Sequence, residues 1–97
     1  MKENIIAAEL KKGLEALGLK YRRVEWTGRS GAPDILVLYD KGVWIETKAL
    51  GQTLRKTQEY EINTMRENGF EVYVVDSLES AVRILRLLKR RLAEDPK

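Results

Sequence analysis

Asp34, Glu46 and Lys48 are the residues of this chain whose types and spacing could do chemistry. Asp34 opens the most apolar stretch of the sequence, Ile35-Leu36-Val37-Leu38-Tyr39, and Glu46 and Lys48 interrupt the next, Val43-Trp44-Ile45. Between them Asp40-Lys41-Gly42 reads as a turn. A three-residue hairpin loop with Gly42 left-handed pairs Tyr39 with Val43, Leu36 with Glu46, and Asp34 with Lys48. Side chains alternate along a strand, so Asp34, Glu46 and Lys48 then share one face at one end of the hairpin. A two-residue loop at Lys41-Gly42 would shift the pairing by one and break that alignment. Two readings compete for the cluster. One is an ion pair at a sheet edge, worth about 0–1 kcal/mol. The other is a hard-cation site, in which Asp34 and Glu46 offer oxygen ligands to an ion such as Mg²⁺ that keeps several waters. Lys48 would then stand beside the metal-bound water, able to orient it or to balance charge on a phosphate.

Composition narrows the alternatives. The 97 residues contain neither cysteine nor histidine. Disulfides, thiolate zinc sites, cysteine nucleophiles, Ser-His-Asp triads and imidazole ligands are therefore excluded. Any chemistry rests on carboxylates, lysine and metal. The chain is 43% hydrophobic and 34% charged, ordinary for a globular protein and too apolar for a disordered one. Its length suits a single domain spanning residues 1–97. Eighteen Lys and Arg against fifteen Asp and Glu give +3, and the pI is near 9.3, compatible with nucleic acid. The N-terminus lacks the apolar core of a signal peptide, and the longest apolar run, Ile35 to Tyr39, is far too short to cross a bilayer. The expectation is a soluble cytoplasmic protein with no membrane partner, ending in a frayed tail from Glu94 to Lys97.

Around the cluster the periodicities predict seven elements. A first helix runs from about Glu3 to Leu17, with Ile6, Leu10, Leu14 and Leu17 on one face and Gly18 as its stop. Strands follow at Tyr21 to Thr27, Ile35 to Tyr39 and Val43 to Lys48. A second helix covers about Thr53 to Asn68, closed by Gly69. Phe70 to Val75 forms a strand, and Asp76 or Ser77 caps a third helix reaching about Leu92. The helix between the last two strands implies a right-handed β-α-β crossover. Three antiparallel strands and one added in parallel make a small mixed sheet with helices packed on it, an α/β architecture.

Two residues on the helices bear on the cluster. Glu9 lies on the flank of the first helix's apolar stripe, where it either meets solvent or reaches over the sheet edge to a metal. Gln58 falls inside the stripe of Leu54, Ile62 and Met65, where a buried amide needs partners; it either bonds backbone or faces the site. Basic residues gather nearby. Arg23, Arg29 and Ser30 lie at or beside the Gly-rich segment Gly28-Arg29-Ser30-Gly31-Ala32-Pro33, and Arg55 and Lys56 begin the second helix. Glycine loops and helix N-termini offer N–H groups to phosphates, so these five are candidate nucleic-acid contacts. The last helix carries Arg83, Arg86, Lys89, Arg90 and Arg91, with Ile84 and Leu87 outside its main stripe of Leu78, Val82, Leu85 and Leu92. The extra apolar residues suggest a partner surface, including a dimer contact.

Gly31-Ala32-Pro33-Asp34, then eleven residues, then Glu46-Thr47-Lys48 resembles the PD-(D/E)XK nuclease motif. Gly28 through Ser77 resembles more closely its VRR-NUC family, the virus-type replication-repair nucleases, in which a glutamine-bearing helix follows the Glu-x-Lys strand, as Gln58 does here. The resemblance implies a restriction-endonuclease-like αβββαβ core with an extra C-terminal helix. It also implies a metal-dependent DNA endonuclease resembling Holliday-junction resolvases, acting on branched DNA such as four-way junctions or flaps. Asp34 and Glu46 would bind Mg²⁺ or Mn²⁺, with the Thr47 carbonyl and Glu9 completing the shell, Lys48 assisting the attacking water and Gln58 in the catalytic set. Small members of this kind are viral or bacterial, which implies a bacterial or phage-infected host cytosol. A two-fold homodimer is implied, because symmetric cutting of a junction needs two sites. The competing reading is a non-catalytic nucleic-acid-binding module that keeps the fold.

Overall fold

The computed structural model describes residues 2–94; residues 95–97, most of the expected tail, lie outside it. Helix α1 (Glu3–Ala16) leads into strands β1 (Tyr21–Arg23), β2 (Ile35–Val37) and β3 (Val43–Thr47). Helix α2 (Lys56–Glu67), strand β4 (Glu71–Val75) and helix α3 (Leu78–Glu94) follow. The strands form one sheet in the order β1-β2-β3-β4, antiparallel except for the β3–β4 pair, which the α2 crossover makes parallel. This is the small mixed α/β sheet with flanking helices that the periodicities imply.

Alternation along the strands sorts the core into two layers. Ile35, Val37, Val43 and Ile45 face α1 and α3, meeting Ile6, Leu10, Leu14, Ile84 and Leu88. On the opposite side Trp44 and Val72 meet Ile62 of α2, with Leu36, Leu54 and Met65 packed alongside. Each fully buried aliphatic side chain contributes about 1.5–3 kcal/mol. That exceeds any exposed ion pair of this protein, so the apolar layers set the fold and the charges decorate it.

The hairpin register differs from the expected one. The last β2–β3 pair before the turn is Val37 with Val43, followed by Leu36 with Trp44 and Ile35 with Ile45. The connection is therefore five residues, 38–42, rather than three. Within it the Gly42 N–H bonds the Tyr39 carbonyl at 2.9 Å, while Asp40 (φ 54°) and Gly42 (φ 100°) both take left-handed backbone. This turn closes on Tyr39 itself, so Tyr39 cannot pair with Val43. The slip is of two residues, an even number, and leaves every side chain on its expected face.

Two helices also depart from expectation. Arg55 is extended (φ −70°, ψ 158°) and acts as N-cap, so α2 starts three residues later than the pattern from Thr53 suggests. On α3 the buried residues are Ala81, Ile84 and Leu88, whereas Leu78 and Val82 are exposed. Ile84, expected on a partner surface, belongs to the core. Leucine and isoleucine occupy two adjoining faces of this helix, and only packing against α1 and β4 decides which is covered.

Candidate functional site

Continuing the β2–β3 ladder by one residue sets Asp34 opposite Glu46 at the end of the hairpin. Both follow the alternation that turns Leu36 and Trp44 toward α2. Glu46 is 8% exposed, an uncommon place for a carboxylate. Burial, and next the nearby Asp34 carboxylate, push its pKa up to about 7, while Lys48 and Arg55 pull it down in part. Lys48 follows directly on β3, its N–H bonded to the Val75 carbonyl at 2.8 Å. Among the described residues it forms no salt bridge, so its ammonium is not consumed by a fixed ion pair. Asp34 instead pairs with Arg23, whose Nη2 lies 3.5 Å from Oδ2.

Gln58 resolves into both of its anticipated roles. Its Oε1 accepts the Arg55 N–H at 2.9 Å, closing the first turn of α2, and its Nε2 donates to Glu46 Oε2 at 3.2 Å. A backbone N–H can only donate, so the first bond turns the amide nitrogen toward the carboxylate. The start of α2 thereby orients Glu46. The Gly-rich segment holds that start in place. Gly31 has φ +90°, and a Cβ there would lie 2.8 Å from the Thr57 carbonyl carbon. Only glycine permits this backbone-on-backbone approach.

The carboxylate of α1 that approaches the site is not Glu9. Glu9 is exposed and lines a groove between α1 and α3 with Gly13, Leu78 and Val82. Glu3, one turn before Ile6, accepts a 3.3 Å hydrogen bond from Thr47 Oγ1 and adds to the negative potential at Glu46. With Arg23, Asp34 and Thr47 it lines a cavity of about 480 Å³ over the end of the sheet. Glu3 continues the Ile6-Leu10-Leu14 stripe backward by one turn. A charged residue in line with the apolar stripe was the sequence signal for it, although Glu3, like Glu9, remains exposed.

The expected nucleic-acid contacts divide between two places. Arg29, Ser30 and Lys56 line a cavity of about 430 Å³ between the Gly-rich loop and α2. Glu61, which blurs the apolar stripe of α2, forms an ion pair with Arg29 across this cavity. Tyr60, 64% exposed, stands in the same wall and carries no signal in the periodicity. Arg55, the N-cap of α2, lowers the Glu46 pKa in part, and Arg23 pairs with Asp34.

The donor set fits a hard divalent cation. Two carboxylates opposed across a hairpin, one with its pKa raised by burial and by the charge of the other, supply oxygen without sulfur or imidazole. Among the described residues no group of three or more carboxylates converges closely enough to enclose an ion. Water and phosphate oxygens would fill the remaining positions, as Mg²⁺ chemistry prefers.

A family model for the VRR-NUC domain matches residues 2–79. No curated protein matches the chain. A solved structure described as a VRR_NUC domain is similar at 31% identity and a TM-score of 0.73, over 100% of this chain and 99% of that one. No helix among the described residues is long and apolar enough to cross a membrane.

Proposed function

Because the chain belongs to the VRR-NUC family, whose domain is of nuclease type and implies contact with DNA, we propose that it is a Mg²⁺- or Mn²⁺-dependent endonuclease cutting branched DNA. The observation that carries the reading is the buried Glu46 facing Asp34, held by Gln58 and followed by Lys48. Nothing about folding requires two carboxylates to oppose each other there, and burial together with the Asp34 charge raises the Glu46 pKa. Asp34 and Glu46 would hold the metal, with the Thr47 carbonyl as a further ligand. The ion, when bound, supplies an acidified water and neutralises charge on the phosphate.

The chain's own groups do the rest. Gln58 fixes the Glu46 carboxylate in one orientation. Lys48 orients the attacking water and balances charge that builds on the phosphate oxygens. Glu3 deepens the negative potential under the site, which favours a divalent ion over a monovalent one. Arg29, Ser30, Arg55 and Lys56 hold the strand by its backbone, and the exposed Tyr60 offers a stacking surface for an unpaired base. Reading backbone rather than base edges suits a substrate recognised by shape. The described residues carry one cluster of this kind, so symmetric cutting of a four-way junction calls for a homodimer.

The test is cleavage of labelled four-way junction, flap, duplex and single-stranded DNA with Mg²⁺ and with Mn²⁺. Branched substrates are expected to be cut, and Asp34→Ala, Glu46→Ala or Lys48→Ala to abolish cutting while circular dichroism shows an intact fold. Cutting in a chelator, or by the Asp34→Ala protein, overturns the proposal. Salt-dependent binding with no cleavage under either metal would establish the non-catalytic module instead. Mass measurement in solution tests the dimer.

A further inference from the structure

A second basic surface lies away from the carboxylates. Arg83, Arg86 and Arg90 recur at i, i+3 and i+7, one stripe along α3. They line a groove of about 1010 Å³ beside the β4 edge, and Arg66 from the last turn of α2 joins them. Like charges three and four residues apart each cost a helix a few tenths of a kcal/mol. Arg83 is relieved by Glu79, 3.0 Å away, whereas Arg86 and Arg90 have no carboxylate partner among the described residues. The groove floor is apolar and aromatic, with Leu87 and Tyr73. Most of α3 lies beyond the residues that the family model matches.

We infer that this groove binds the phosphate backbone of a nucleic-acid strand outside the cleavage site. Charge complementarity selects a polyanion. The edge strand argues against an extended peptide, because Arg66 already donates to the Val72 carbonyl through Nε (3.2 Å) and Nη2 (2.8 Å) and so blocks strand addition. A second copy docking groove to groove would oppose four arginines of each protomer with one acidic lining residue, Glu79, that already pairs with Arg83, so like charge outweighs relief. The choice of nucleic acid among polyanions rests on the nuclease reading above.

The experiment measures binding without cleavage. Fluorescence anisotropy of labelled DNA is recorded with the full chain in EDTA across a salt series. Arg86→Gln combined with Arg90→Gln is expected to weaken binding about tenfold at low salt and to flatten the log–log salt dependence by about 2. Arg86→Lys with Arg90→Lys should restore the slope. Both positions are exposed, so the melting temperature should hold. Polyglutamate of equal charge should compete poorly. Unchanged affinity and slope in the glutamine variant overturns the inference, as does polyglutamate competing equally. A small chromogenic phosphodiester, too short to span the groove, keeps the two proposals separate. Its hydrolysis should vanish in Glu46→Ala and persist in the arginine variant.

Discussion

Two glutamates on neighbouring strands of one sheet are treated in opposite ways. Glu71 opens β4 and accepts from Arg91 through both oxygens, Nη1 to Oε1 at 2.8 Å and Nη2 to Oε2 at 2.7 Å, with the Tyr73 hydroxyl also donating to it. The Arg91 bonds hold its pKa below the usual carboxylate value. Glu46, toward the other end of β3, is buried, faces another carboxylate, and receives one amide hydrogen bond. A carboxylate that serves the fold is surrounded by what its charge wants. Glu46 is left with no salt bridge among the described residues, the condition that the catalytic proposal uses, and the surrounding structure holds it there regardless.

The sharpest break of that contrast is catalytic. Glu46→Ala is expected to lower the cleavage rate by about 10³-fold or more, a loss of about 4 kcal/mol in transition-state stabilisation, whereas Glu71→Ala leaves the rate within about twofold. Comparable losses in both would erase the distinction. Next in size is Gln58→Leu. It removes the donor that aims Glu46 and should slow cleavage about 10–100-fold, acting on kcat more than on KM. An unchanged rate would mean that Glu46 needs no orientation.

Smaller effects concern stability. Arg91→Ala breaks a partly exposed bidentate pair and should cost about 1 kcal/mol, read as a melting temperature lower by about 4–8 °C, with cleavage retained. A further stability effect lies in the pH dependence of the metal-free protein. A raised Glu46 pKa means that the folded chain keeps a proton which the unfolded chain releases. Its contribution is complete below the ordinary value of 4.5 and is lost as pH rises through about 7. Glu71, with a lowered pKa, contributes above its ordinary range and loses that contribution as pH falls through its folded value. In a chelating buffer the Glu46 contribution to the melting temperature should therefore fall as pH rises from about 4.5 through about 7 and level off above it, a fall that is smaller in Glu46→Gln. Parallel profiles for the two proteins would show that Glu46 is not under this strain.

The sequence disclosed parity better than register. The common face of Asp34 and Glu46 depends only on the hairpin being offset by an even number, so a five-residue connection in place of three left it untouched. The element order was legible because apolar residues recur at helical spacing in α1 and α2, and Gly18, Gly42 and Gly69 mark where α1, the β2 arm of the hairpin and α2 give way to the next element. The choice between Glu3 and Glu9 needed more than rotation about a helix axis, since it depends on which turn of α1 lies over the sheet end. The covered face of α3 was ambiguous because Ile84, Leu85, Leu87 and Leu88 crowd adjoining positions, and only tertiary packing selects among them. Tyr60 left no pattern at all, because an exposed aromatic on a polar helix face belongs to neither period.

The bond from Gln58 to Glu46 also bears on how the molecule assembles. Asp34, Glu46, Lys48 and Gln58 fall within one contiguous quarter of the chain, so the contacts joining them close short loops. The packing of α1 on α3 joins opposite ends of the polypeptide and gives up more chain entropy before it returns any burial. A nascent or partly melted chain would accordingly hold the hairpin that carries Asp34 and Glu46 before its terminal helices have met. Amide exchange at Glu46 and Gln58 should then outlast exchange along α1 as denaturant is raised.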